Sequence, residues 1–587
     1  MTATTRARSR RALVAVAALT AAIVLSIVML LPPRAIRLSP GPRDPRDMIG
    51  SLHIHTTRSD GTGTVEEVAD AAAKAGLDFI VTTDHGNATR AADPPRYVSG
   101  VLCMDAVEIG TSAGHYIALG LKRPAPYPLG GEPRDVVEDV RRLGGFGIVA
   151  HPESPKRDLR WREWAAPIDA IEWLNADSEW RDEPPRSIAR ALATYFVRPP
   201  ETIASLLNHP STLARWDALS QRRRVIALAG HDAHARIGLR GGGEPSVEEY
   251  SLRLPSYAAA FRTFAQRVRL DGPATGHAGR DAQLLLRALA AGRTYTVIDG
   301  FASGGRLTFE ARTPDGTAHA GDDVVTPAPV TLSARVSPVP AGVMLVLIRD
   351  GRVVLSEAGP SLAFVHQPGG PAVYRVEARL DDARGRPAVP WIVSNPIWIG
   401  VKRDRTRPDP PPAAAVRGVF GGPEQGSWTL EHDRETTAAA EVVDGPWGSP
   451  ALRLTYHLAP GAPRGQYAAA VAAIDPSKFA DWDRVRFRAS ASPEMRISVQ
   501  VRESGGQRWK RSVPLAGDAR EVLVRLDDMT FAEPVLAGRP PRASLTSLLF
   551  VVDTTNAPPG ARGTIWIDDI QLEREEKGSY VRTVSSM

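Results

Sequence analysis

The stretch HIHTTRSDG, residues 53–61, sets His53 and His55 one residue apart and places Asp60 five positions further on. Four later segments have the same character. VTTDH ends at His85, AVEIG carries Glu108 with His115 close behind, IVAHP carries His151, and LAGHDAH carries His231, Asp232 and His234. Imidazole nitrogens and carboxylate oxygens with no thiolate among them suit zinc, manganese or iron, and Glu108 can join two cations through its two oxygens. A lone His-x-His is more often a surface or packing feature than a metal site. Five such segments, each placed at the end of a predicted strand, point to one shared metal centre. The single cysteine, Cys103, excludes both an internal disulfide framework and a cysteine-rich zinc site.

The elements that must position these residues alternate between short apolar runs and amphipathic stretches from 48 to 300, the pattern of a parallel sheet or β/α barrel. Thr64 and Glu67 make a capping box for the helix TVEEVADAAAKAG, with Gly76 as its stop. LDFIVTT, VLCMDAVEI, FGIVA, IDAIEWL and RVIALAG read as strands, RDVVEDVRRLGG as a helix, and 153–224 as a mostly helical insertion. In a β/α barrel the strand C-termini share one rim, which is where an active site sits. His53 and His55 are expected on one face of a strand, with Asp232 and His234 repeating that geometry.

At 587 residues the chain exceeds what one core supports, and its 43% hydrophobic and 24% charged residues are those of a globular protein. Residues 1–11 form a basic tail and 12–31 an uncharged run long enough to cross a bilayer. We read a transmembrane signal anchor, the catalytic region being exported to the periplasm or the cell exterior. Period-two alternation over 303–402 predicts a small Ig-like sandwich, 403–414 a proline-rich linker, 415–575 a larger sandwich and 576–587 a disordered tail. The formal charge of +6 includes four arginines of the N-terminal tail, so no nucleic-acid partner is expected.

The order and spacing of LHIHTTRSDGTGTVEEVADAAAKAGLDFIVTTDH, VEIG, GHYIALGL, AHP and GHDAH resemble the polymerase-and-histidinol-phosphatase (PHP) superfamily of metallohydrolases over about 48–300. RVIALAGHDAH, ALAAGRTYTVIDG and PWIVSNPIWIG resemble its carbaryl-hydrolase-like subgroup. The resemblance implies an imperfect seven-stranded β/α barrel, followed here by two all-β sandwiches, and two or three divalent ions (Zn, Mn or Fe). It implies His53, His55, Glu108 and Asp232 as ligands of a first metal, Glu108, His115 and His151 of a second, and Asp60, His85 and His234 of a third. Ser51 departs from the pattern, since relatives carry an acid before Leu-His that supports the imidazoles. His231 stands where relatives often have serine and adds a proton donor to the catalytic set of His231, Asp232 and His234.

The activity implied is hydrolysis by a metal-bridging hydroxide, foremost of a small-molecule or glycan-linked phosphoester. Carbamate, ester or amide hydrolysis and a non-catalytic surface glycan-binding or sensory role are the alternatives. Arg58, Lys156, Arg157 and Arg236 adjoin the motifs as candidate phosphate contacts, and Asp84 as a support for His85 or a loop cap. Of the tryptophans after AHP (Trp161, Trp164, Trp173 and Trp180), one or two are expected to line a substrate pocket. FADWDRVRFRAS and GTIWIDDIQLE resemble galactose-binding-like carbohydrate-binding modules, with Trp428, Trp447 and Trp509 available to stack on sugars and Trp482 and Trp566 in the core.

Overall fold

The computed structural model describes residues 3–39, 41–208, 211–238, 251–380, 387–401, 412–420, 428–461, 465–532, 538–555 and 557–575. Most of the linker 403–414 and the whole tail 576–587 lie outside them. The chain divides into two units, the first comprising Met1–Gly86, Ala92–Lys122 and Val140–Asp404.

The first unit begins with α1 (Ala3–Leu30), whose stretch Leu13–Leu30 is apolar, unburied and long enough to span a bilayer. After β1 (Asp47–Ser51), α2 (Val65–Ala75) starts at the Thr64 cap, whose side chain accepts from Glu67 N while Thr64 N donates to Glu67 Oε2 at 2.9 Å. It ends at Gly76, whose φ of 79° suits glycine, and buries Val68, Ala69 and Ala72. The strands that follow are β2 (Phe79–Thr82), β3 (Val101–Asp105), β4 (Val107–Thr111), β5 (Gly114–Leu119), β6 (Phe146–Val149) and β7 (Ala170–Asn175). Helix α3 (Pro185–Tyr195) precedes β8 (Ile226–Gly230), β9 (Ala265–Arg269) and β10 (Thr294–Val297).

By ladder pairing these strands fall into two sheets, which the Ile54–Ala233 bridge and the hydrogen bond from His231 N to Leu52 O join. β1, β2 and β3 pair in parallel, and β1 continues antiparallel to β9 and on to β10. In the second sheet β4, β5 and β6 are antiparallel, then β6, β7 and β8 parallel. VLCMDAVEI is therefore two strands: the chain changes sheet at Ala106, whose N–H donates to Thr82 O. Between β8 and β10 side-chain amides replace a backbone ladder. Asn395 bonds both backbone groups of Ala227 and the carbonyl of Thr294, and Gln266 of β9 donates to both Ala229 O and Thr296 Oγ1.

The expected boundary near 300 is not a break in the hydrogen bonding. Ile392–Ser394 pairs with β10, so one sheet of the 303–402 sandwich continues the β1–β2–β3 sheet, while Arg306–Thr313, Gly316–His319, Val330–Ser337 and Ser361–His366 make the facing four-stranded sheet. Arg375 of that sandwich forms a buried ion pair with Asp217 at 2.6 Å.

The second unit comprises Asn87–Ala91, Arg123–Asp139 and Arg405–Met587. Its core lies between two six-stranded antiparallel sheets. Residues 123–139, read from sequence as part of the first domain, group here, with buried Arg496 paired to Asp139 at 2.7 Å and Asp135 at 3.1 Å. Trp509 is buried against Phe531 and donates to Gly538 O, so it is a core residue and not a sugar platform. Trp566, expected in the core, is half-buried beneath the Arg453 guanidinium.

Candidate metal centre

Side chains from the segments after β1, β2, β6 and β8 meet those of β4 and β5 at one point, and Glu108 is its centre. Its Oε1 lies 2.8 Å from His151 Nε2 and 3.0 Å from His115 Nδ1; its Oε2 lies 3.1 Å from His85 Nδ1, 3.3 Å from His55 Nε2 and 3.4 Å from His53 Nε2. Asp232 Oδ1 stands 3.3 Å from the Nε2 atoms of both His53 and His55. Asp60 Oδ2 is 3.1 Å from His234 Nε2 and 3.7 Å from His85 Nε2. All nine residues named as ligands from sequence thus occupy one cluster, and they include four groups able to hold an ion.

The spacing fits metal coordination. Two donor atoms each about 2.1 Å from an ion at the tetrahedral angle stand about 3.4 Å apart. His53 Nε2 and His55 Nε2, both buried, make no hydrogen bond, yet each has carboxylate oxygens of Glu108 and Asp232 at 3.3–3.4 Å. The opposite edges of the imidazoles fix the tautomers. His53 Nδ1–H donates to Glu172 at 2.7 Å, His151 Nδ1–H to Leu159 O at 3.1 Å and His234 Nδ1–H to Asp232 O at 2.9 Å, which turns each Nε2 inward as the atom that would bind an ion.

A model of the PHP domain matches residues 51–118. An uncharacterised protein of Methanocaldococcus jannaschii, MJ1587, is 31% identical over 144 residues, which cover 22% of this chain and 82% of the relative. The chain belongs to the PHP family. Two solved structures are also similar to parts of this PHP protein. One is a two-domain protein of Bacteroides vulgatus containing a predicted PHP-like metal-dependent phosphoesterase (16% identity, 62% of this chain, 99% of that chain, TM-score 0.30). The other is the family 11 carbohydrate-binding module of a Clostridium thermocellum cellulase (12% identity, 29% of this chain, 100% of that chain, TM-score 0.23). At these TM-scores neither bears on function.

The PHP cluster is electrostatically coupled throughout. Burial opposes charge on His53, but Asp232, Glu172 and Glu108 outweigh it and hold its pKa well above the ordinary value. Burial likewise opposes ionisation of Glu108, and His53, His115 and His151 reverse that and hold it well below the carboxylate range. Asp60 is also depressed, by His234 and His85 against its burial.

The backbone that aims these groups is not a strand. His53 has φ 61°, His151 30° and Asp232 50°. His53 and His55 converge because His53 is left-handed and Ile54 bridges Ala233, with His55 N donating to Ala233 O and Ala233 N to His53 O. The expected strand alternation is thereby corrected, for Asp232 and His234 as well.

Three other expectations change. Buried His231 is not a proton donor to the cluster. Its Nε2–H donates to Ala260 O at 3.0 Å, its Nδ1 accepts from Ser51 Oγ at 2.7 Å, its ring stacks on Phe264, and burial pushes its pKa down to about 3. Ser51 therefore anchors His231, and the carboxylate that supports His53 is Glu172, which the motif reading missed. Its signal was a single acid inside the apolar strand AIEWLN, all six residues of which are buried. Asp84 holds the 56–59 loop, accepting from Thr56 N, Thr56 Oγ1 and Ser59 Oγ at 2.7 Å each, and no bond to His85 is seen among the described residues.

Of the candidate phosphate contacts, Arg58 is paired with Asp93 and Asp105, and Lys156 and Arg157 are exposed on the loop after His151. Arg236 lines a cavity of about 180 Å³ that also touches Asp232 and His234 and has mainly apolar walls. Trp180 lines that cavity too, whereas Trp161 and Trp173 are core residues.

Proposed function

We propose that this PHP protein is a metal-dependent hydrolase of phosphate esters, anchored to a membrane by α1. The observation that carries the reading is the set of four donor atoms, His53 Nε2, His55 Nε2, Glu108 Oε2 and Asp232 Oδ1, held at coordination spacing with both imidazole nitrogens otherwise unbonded. These four would hold one divalent ion. Glu108, His115 and His151 would hold a second, and Asp60, His85 and His234 a third.

Such ions bring the pKa of water toward about 7 and polarise the ester oxygen. The protein's own residues do the rest. Glu108 offers one oxygen to each of two sites, Glu172 and Asp232 O orient imidazoles from behind, and the Asp84-bound loop fixes Asp60 in place. The anionic phosphorus centre of phosphate ester cleavage is the transition state that a cluster of cations matches best. The carbaryl-hydrolase-like resemblance keeps carbamate and carboxyl esters as a second reading, favoured by the apolar lining of the cavity. Half-buried Trp428 and Trp447 are what supports a glycan contact for the second unit.

The test is metal analysis of the purified full chain together with rates on phosphomonoesters, phosphodiesters, carbamates and carboxyl esters. Two or three equivalents of Zn, Mn or Fe are expected, with phosphoester turnover abolished by chelation and cut at least a thousandfold in His55→Ala and Asp232→Ala. Activity that survives those substitutions overturns the assignment.

A further inference from the structure

The cavity beside His234 runs from the cluster to α3. Asp232 and His234 stand at one side, and Ile188, Leu192, Leu206 and Leu207 contribute to the apolar walls. An apolar cavity of roughly 150 Å³ accepts a benzene-sized group without water, so about 180 Å³ suits the apolar part of a substrate whose polar end reaches the cluster.

Leu192 lines this cavity and is also 51% exposed, which places it at the mouth. Immediately beyond the end of α3, Phe196 is 75% and Val197 57% exposed. Three large apolar side chains in six residues, bare to solvent on the segment that carries the cavity mouth, mark a surface that another apolar phase covers.

The position of α1 identifies that phase. Arg190 of α3 donates from Nε to Leu30 O, the last residue of α1, at 2.8 Å, and Arg198 donates to Pro32 O. The N–H of Ala35 donates to Glu201 at 3.2 Å. The end of the membrane-length helix is therefore tied to the segment that carries the cavity mouth. With α1 across a bilayer, Leu192, Phe196 and Val197 lie at its surface. Exposed Arg34, Arg37 and Arg186 add positive charge on the same segments, complementary to anionic headgroups.

We propose that the substrate is a membrane lipid carrying a phosphate ester. The stretch of its apolar portion next to the phosphate, as much as about 180 Å³ holds, enters past Leu192 into the cavity while the rest stays in the bilayer, and its phosphate reaches the cluster. This rests on the hydrolase reading above and adds the substrate's source. In the reaction a water oxygen bonds to phosphorus, the bond from phosphorus to the lipid oxygen breaks with its electron pair staying on that oxygen, and the alcohol leaves with a proton. The released alcohol returns to the bilayer and phosphate to water.

The experiment compares two probes on the full chain. One is dioleoyl phosphatidate in phosphatidylcholine vesicles holding the reconstituted protein; the other is para-nitrophenyl phosphate in solution. Phosphatidate hydrolysis is expected, falling at least tenfold in the Phe196→Asp/Val197→Asp double variant while para-nitrophenyl phosphate turnover changes less than twofold. Octyl phosphate should inhibit the soluble reaction at least tenfold better than methyl phosphate, and Leu192→Trp should erase that difference. Turnover of para-nitrophenyl phosphate with phosphatidate untouched and no preference for octyl phosphate overturns the lipid assignment and leaves the hydrolase standing. Turnover of neither probe, in a chain shown to hold its metals, removes both.

Discussion

Glu172→Gln tests the geometry of the cluster without touching any residue that would contact an ion. Glu172 Oε1 accepts from His53 Nδ1, and Oε2 accepts from His151 N at 2.7 Å and Asn175 Nδ2 at 2.8 Å. All three partners are donors, so a glutamine amide must turn its NH₂ toward at least one of them. If the NH₂ faces His53, the imidazole relieves the clash by moving its proton to Nε2, the atom that points at Glu108 and Asp232, and that nitrogen can no longer bind an ion. If it faces the other way, the His151 N–H and the Asn175 amide lose a buried acceptor, at a cost of about 1–3 kcal/mol. Loss of such supporting partners typically weakens metal binding 10–100-fold, which is about 1.4–2.7 kcal/mol. Competition titration against a chelator, on protein of matched thermal stability, measures it. An affinity within twofold of the unmodified protein, at unchanged metal content, would refute the claim that Glu172 sets the His53 tautomer.

Two further outcomes follow from neighbouring contacts. A Cβ on Gly230 would stand 1.8 Å from Glu172 Oε1, so Gly230→Ala should displace that carboxylate, weaken metal binding by a similar factor and add little to Glu172→Gln in the double variant, as the titration would show. Glu179 carries the opposite kind of signal: burial, with Asp182 and Glu183 adding to it and the Asn208 N–H opposing, pushes its pKa from the ordinary 4.5 to about 8. Between those values the folded state holds a proton that the unfolded state has lost, so stability falls as pH rises through this window and levels off above it. The shift corresponds to at most about 4–5 kcal/mol. Glu179→Gln keeps an oxygen for Asn208 N and should raise the melting temperature at pH 8.5 but not at pH 4; equal gains at both would show that ionisation of Glu179 is not the cause.

The residue types of the centre were legible because each chemical role needs a particular side chain, and HIH, TDH, AHP and GHDAH display theirs openly. Glu172 was harder to see because its partners are a ring nitrogen 119 positions away and the backbone N–H of His151, and nothing local marks an acid in AIEWLN as a hydrogen-bond acceptor. His231 misled for the converse reason, since a motif histidine looks the same whether its nitrogens are open or already held by Ser51 and Ala260. The strand edges were hidden as well. Neither the apolar runs of the first domain nor the period-two alternation of the small sandwich names a strand's neighbour, so they carry no sign that Ile392–Ser394 pairs with Thr294–Val297, or that Asn395 fills the gap left beside Ala227.

The backbone of the centre shows why spacing alone misled on its local form. Among the described residues eight non-glycine positions have positive φ, and His53, His151 and Asp232 are three of them. Each such residue costs of order 1–3 kcal/mol and persists only where its surroundings over-determine it. Here the surroundings are other parts of the same cluster: His53 and Asp232 are held by the reciprocal hydrogen bonds of the Ile54–Ala233 bridge, and His151 by Glu172 at its N–H and Leu159 at its ring. Left-handed conformations at residues that are not glycine cannot be inferred from the residues themselves, because the contacts that stabilise them come from other segments, nearly 180 positions away for His53 and Asp232 and 21 away at Glu172 for His151. The strain gathers at the residues proposed to hold the ions, and it is what brings two histidines one residue apart to bear on a single point without a strand to align them.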